Sequence, residues 1–103
     1  METATPVSLG EEVHFSINPL ADQDWFQLTL DHAGELRLFV KNRVELSVHL
    51  LDQQGRTIWD RNIYNHRSLD QRTSLLPGVY YLHLHEWGDN GRDIQEAFFR
   101  TEF

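Results

Sequence analysis

Asp24-Trp25-Phe26-Gln27-Leu28-Thr29-Leu30 and Leu76-Pro77-Gly78-Val79-Tyr80-Tyr81-Leu82-His83-Leu84 decide how this chain folds. In the first stretch Phe26, Leu28 and Leu30 alternate with Gln27 and Thr29, the period of two expected of a strand with one buried and one wet face. In the second, a Pro-Gly turn launches a run in which Tyr80, Leu82 and Leu84 share a face. Splitting both strands by face assigns Phe26, Leu28, Leu30, Tyr80, Leu82 and Leu84 to the core. It leaves Trp25, Tyr81, His83 and His85 outside, with Asp24 at the entrance of the first strand.

The same alternation recurs on either side. Val13, Phe15 and Ile17 alternate with His14 and Ser16, and Asn18-Pro19 ends that strand because proline cannot donate to a ladder. A turn at His32-Ala33-Gly34-Glu35 leads into Leu36, Leu38 and Val40, predicting a tight antiparallel hairpin with the Trp25 strand. Val44, Leu46, Val48 and Leu50 alternate with Glu45, Ser47 and His49, and Asp52-Gln53-Gln54-Gly55 supplies turn chemistry for a return strand from Arg56 to Asp60. From Arg61 to Ser74 the pattern dissolves into polar residues and reads as a long surface connection holding at most one short strand. Gly88-Asp89-Asn90-Gly91 reads as a loop, and Gln95 to Phe103 as a closing strand with Phe99 and Phe103 on one face. No helical period appears. About eight short strands separated by turns predict an all-β fold, an antiparallel β-sandwich of jelly-roll-like kind, because two amphipathic sheets must cover each other's apolar faces. Residues 1–10 are expected to form a flexible tail or edge segment, and 11–103 a single domain.

Composition narrows the function classes. A chain of 103 residues suffices for one core, and with no cysteine there is neither a disulfide nor a thiolate to bind metal or attack a substrate. A formal charge of −7, from 16 acidic and 9 basic side chains, repels phosphate backbones and anionic lipid, so neither nucleic acid nor membrane is an expected partner. Met1 to Pro6 lacks the basic start and apolar core of a signal peptide, so an export signal would have to lie outside this chain.

The Asp22-Gln23-Asp24-Trp25-Phe26-Gln27-Leu28-Thr29-Leu30 and Leu75-Leu76-Pro77-Gly78-Val79-Tyr80-Tyr81-Leu82 segments fit the patterns D-x-D-W-[FY]-x-[FL]-x-L and L-x-x-G-x-Y-Y-L. The strand ending in Leu51-Asp52-Gln53-Gln54-Gly55 follows a third, L-x-L-x-L-x-D-x-x-G, with Val48 in place of its second leucine, and the three occur in the right order. In these segments the chain resembles the bacterial pre-peptidase C-terminal domain, from about Val7 to Phe103. The resemblance implies a secreted or periplasmic, non-catalytic accessory module of a hydrolase, related to the collagen-binding modules of clostridial collagenases. Its implied partners are an extracellular polymer, either a protein fibre or a polysaccharide, or the parent hydrolase. Relatives carry calcium near the N-terminus, but the family's Glu-x-Asn-Asx stretch upstream of the first strand is missing here.

Several residue groups are candidates for function. Trp25, Phe39 and Tyr81, predicted on outward faces beside His83 and His85, form a candidate binding surface; the bland alternative is that loops or tails cover them. No cofactor is expected. The alternative is a calcium ion on Asp22 and Asp24, with Asp89 and Asn90 adding oxygens if their loop folds nearby; an ordinary turn explains the same residues. His83 and His85 share one face of a strand, and His49 and His14 are predicted outward too, a zinc or copper set only if strand order brings them together. A metal-binding spacer, with calcium or zinc, is therefore one rival to the polymer-binding reading. A structural module that packs on its parent enzyme or on a second copy is another. Catalysis has no assembled nucleophile, base and oxyanion donors behind it, and Asp31-His32, as neighbours on a strand, would point to opposite faces.

Overall fold

The structure, a computed structural model, describes residues 4–17, 24–41, 46–63, 68–85 and 94–103. These residues form nine strands: β1 (Thr5–Pro6), β2 (Glu12–Ile17), β3 (Asp24–Leu30), β4 (Gly34–Lys41), β5 (Leu46–Leu51), β6 (Thr57–Ile63), β7 (Ser68–Leu75), β8 (Gly78–His85) and β9 (Ile94–Glu102). They make two sheets, one of five strands in the order β1-β3-β8-β5-β6 and one of four in the order β2-β9-β4-β7. All pairings are antiparallel except β1 with β3, where Thr5 and Pro6 lie beside Phe26 and Gln27. The fold is the expected all-β sandwich. No described helix is long and apolar enough to cross a membrane.

The inward faces are those predicted from the period of two. Leu28, Leu82, Leu84, Val48 and Leu50 from one sheet meet Leu36, Leu38, Val40 and Phe99 from the other, all essentially sealed from solvent. Phe26 and Phe99 meet edge to face across the core with ring centroids 4.8 Å apart. At the β6 and β7 edges the core is closed by Trp59, whose indole N–H donates to Thr73 Oγ1 at 2.7 Å, tying one sheet to the other. Tyr80 is buried as a core residue, and its hydroxyl donates to the Leu76 carbonyl at 2.8 Å, securing the turn that contains Pro77 and Gly78.

Two sequence-based expectations are corrected. The Trp25 strand and the strand after Gly34 do not form a hairpin: β3 belongs to the five-stranded sheet and β4 to the four-stranded one. Residues 31–33 carry the chain from sheet to sheet, so Leu30 and Leu36 face the same core instead of lying side by side in one ladder. The long surface connection also gives way to structure, since β6 continues to Ile63 and β7 runs for 8 residues to Leu75. Strand β7 is an edge strand whose inward positions are Leu69, Gln71, Thr73 and Leu75, opposite Val40, Leu38, Leu36 and Gly34. Two polar residues in that inward row erase the apolar alternation on which the sequence reading depends.

The hairpin from β5 to β6 is built as its turn chemistry predicts. Asp52 Oδ1 accepts the backbone N–H groups of Gln54 and Arg56 at 2.9 and 3.0 Å, and Gly55, at φ 83°, donates its N–H to the Asp52 carbonyl. These bonds hold the Asp52 carboxyl below its ordinary pKa, the Arg56 N–H contributing most.

Candidate functional site

The outer face of the five-stranded sheet is set by register. On one rung Trp25, His83, His49 and Asp60 lie side by side across β3, β8, β5 and β6. The rung on one side carries Gln27, Tyr81, Leu51 and Thr57, and the rung on the other carries His85, Ser47 and Asn62. Strand period and register therefore place His49 and Ser47 on β5 directly opposite His83 and His85 on β8, four side chains projecting from one square of sheet.

The three imidazoles converge. Their nearest nitrogens all lie within 4.8 Å of one another, and the Nε2 atoms of His49 and His85 are 3.2 Å apart. Ser47 Oγ lies 3.0 Å from His49 Nε2 and donates to Asn62 Oδ1 at 3.1 Å. A serine hydroxyl has one proton; given to Asn62, it leaves Oγ to accept the Nε2–H of His49. Trp25 lies flat on His83, centroids 4.0 Å apart and planes 10° from parallel, so the indole walls one side of the cluster. Loss of hydration from burial, then the neighbouring His85 and His49, push the His83 pKa down to about 4. His49 is lowered by burial and by His85, with Asp60 partly opposing. All three rings remain only half-buried, so the cluster is open to solvent.

The predicted binding residues divide between the two sheets. Trp25, Tyr81, His83 and His85 come together on the face just described, all half-buried. Phe39 does not join them: it lies on β4, on the outer face of the four-stranded sheet, beside Phe98 and beneath the Arg100 guanidinium at 5.8 Å. His14 belongs to that second face as well, against Phe98. There Arg37 is the hub, forked onto Asp70 at 2.9 and 2.6 Å and reaching Glu102 at 3.4 Å. The pairing raises the pKa of Arg37 and lowers that of Asp70, chiefly through their shared hydrogen bonds. Of the calcium candidates, Asp24 opens β3 opposite Leu84, while Asp22, Asp89 and Asn90 lie outside the described residues. Among the described residues, the group of three potential ligands is the histidine trio, a nitrogen set that does not suit calcium's demand for oxygen.

One pair corrects an expectation. Asp31 and His32 are not strand neighbours but turn residues, and Asp31 Oδ1 sits 2.6 Å from His32 Nδ1. Both are exposed, with Phe103 against the imidazole at 4.6 Å.

The solved structures resembling this arrangement are distant in sequence. The pre-peptidase C-terminal domain of a collagenase from Bacillus anthracis matches with a TM-score of 0.81, covering 96% of this chain and 94% of that one at 14% identity. This chain has the pre-peptidase C-terminal fold. A carbohydrate-binding module, CBM36, solved with calcium and xylotriose, is a more remote match at TM-score 0.50 and 13% identity, covering 89% of this chain and 88% of that one. No family model matches the chain, and no curated protein does either. The pre-peptidase C-terminal fold thus extends over nearly all of the sequence.

Proposed function

We propose that this domain is a non-catalytic binding module, exported with a parent hydrolase, that attaches to an extracellular polymer through the outer face of its five-stranded sheet. The observation that carries the reading is the half-exposed row of Trp25, Tyr81 and the histidines on a sheet whose other face is used by the core. Aromatic side chains left accessible on such a platform offer large apolar contact at little entropic cost, and Gln27, Asp60 and Asn62 beside them supply hydrogen-bonding partners. The two neighbouring folds lend support, one a domain of a collagenase and the other a module solved with xylotriose.

Pull-down against insoluble collagen, xylan, cellulose and chitin tests the proposal. The protein is expected to deplete onto one of these, and Tyr81→Ala to weaken that binding about tenfold, as a central aromatic anchor does. Binding that Tyr81→Ala leaves unchanged refutes the assignment of the face. Failure to bind any polymer refutes the reading.

A further inference from the structure

We propose that His49, His83 and His85 form a three-histidine site for a divalent transition metal, zinc(II) foremost, on the outer face of the five-stranded sheet. The inference is independent of polymer attachment and survives if no polymer binds.

Backbone register carries the argument. His83 and His85 are two apart on β8, so they point the same way, and His49 lies directly across from His83 on β5. Their ring centroids stand 5.0 to 5.5 Å apart around the triangle. Zinc–nitrogen bonds of about 2.0–2.1 Å in tetrahedral geometry put ligand nitrogens roughly 3.3–3.4 Å apart. The 3.2 Å between His49 Nε2 and His85 Nε2 is already that edge, and when the ion binds, His49 gives up the Nε2 proton it shares with Ser47 in the metal-free protein and carries its proton on Nδ1 instead. With all three nitrogens inside 4.8 Å, the gap left at His83 is small enough for a limited turn of its ring against Trp25 to close.

The surroundings suit an ion rather than only a stack of rings. Trp25 packs flat on His83 and limits the orientations of that ring. Ser47 occupies the fourth corner of the square, its hydroxyl beside His49 Nε2 and bonded to Asn62, where it can hold a water on the open coordination position. Asp60, opposite His49 on β6, supplies negative charge near the site. Neutral imidazoles favour zinc, copper, nickel and cobalt over calcium and magnesium. Three histidines with one position left open is a zinc donor set found in catalytic sites. The other described histidines do not form such a group: His14 meets Glu12 at 4.0 Å and Phe98, and His32 meets Asp31 and Phe103.

The test uses the whole chain without a polyhistidine tag, stripped with chelator and titrated calorimetrically with zinc chloride. Cobalt(II) serves as the spectroscopic probe, because its visible absorption rises sharply when octahedral water is replaced by a tetrahedral nitrogen set. One ion per chain is expected, with intense cobalt bands and a melting temperature raised by zinc and restored by chelator. His49→Ala, His83→Ala and His85→Ala should each weaken binding by about tenfold or more, while His14→Ala and His32→Ala should not change it. Melting each variant in chelator shows whether it folds, and His85→Gln keeps a polar side chain at that position should the alanine variant fail. Absence of saturable binding, or equal losses in the His14 and His32 variants, overturns the proposal.

Discussion

Replacing Thr73 with valine removes one atom's worth of chemistry at a place where the two sheets are tied together. Valine keeps the β-branched shape that suits an edge strand, so the change isolates the acceptor for the Trp59 indole N–H, now bound at 2.7 Å. Trp59 is only 9% exposed, which leaves that N–H little access to replacement water. An unpaired buried donor costs about 1–3 kcal/mol, and the partial exposure of Thr73 puts this site near the lower end, about 1–1.5 kcal/mol. With an unfolding entropy of roughly 2.1 cal/mol/K per residue, 103 residues give about 0.22 kcal/mol/K, so the melting temperature should fall by about 5–7 °C. Thermal unfolding followed by near-ultraviolet circular dichroism reads the shift. A double-mutant cycle with Trp59→Phe should recover a coupling of about 1 kcal/mol, since once the indole N–H is gone the valine costs nothing further. A shift below about 1 °C, or additive single and double variants, refutes the claim that this bond joins the sheets.

Three further outcomes follow from the same structure. Phe99→Ala, which empties a fully buried site and removes the edge-to-face contact with Phe26, should cost about 3–5 kcal/mol, read as a lower urea midpoint. Gly78→Ala should cost about 1–2 kcal/mol through backbone strain alone, because φ is 151° and a Cβ there meets nothing within 4 Å. Urea titration in chelator should show stability falling as pH drops from about 6.5 to about 4. The His83 pKa is lowered on folding, so the unfolded chain takes the proton first and the contribution present above pH 6.5 is lost on the way down. A shift from 6.5 to about 4 corresponds at most to roughly 3.4 kcal/mol, and solvent around the half-exposed ring reduces that to about 1–2 kcal/mol. His83→Gln should make this limb shallower, leaving the part due to His49, whose pKa is also lowered, whereas the losses at Asp52 and Asp70, lowered as well, begin only below about pH 4.

What the sequence makes legible here is what depends on side-chain period. Leu28, Leu38, Val48, Leu82 and Phe99 sit where alternation puts them, since a shift of one residue would turn every apolar side chain to solvent. Strand β7 escapes the reading because Gln71 and Thr73 occupy inward positions at an edge, where a sheet tolerates polar groups. The supposed hairpin at Gly34 fails for a different reason: the same turn residues serve a reversal within a sheet or a step between sheets, and only packing distinguishes them. The candidate site is legible by halves. His83 and His85 announce a shared face by their spacing, but that His49 joins them, that His14 and Phe39 do not, and that Ser47 and Asn62 complete the group are consequences of strand order. Non-local pairing leaves no local mark in composition.

The most direct test of the binding face is a two-dimensional amide NMR titration with soluble polymer fragments, a triple-helical collagen-like peptide and a xylo-oligosaccharide. One of them is expected to perturb β3 and β8 around Trp25, Gln27, Tyr81 and His83, with the four-stranded sheet unmoved. Perturbations centred instead on Phe39, Phe98 and Arg100 would place the working surface on the opposite side of the sandwich and contradict this expectation.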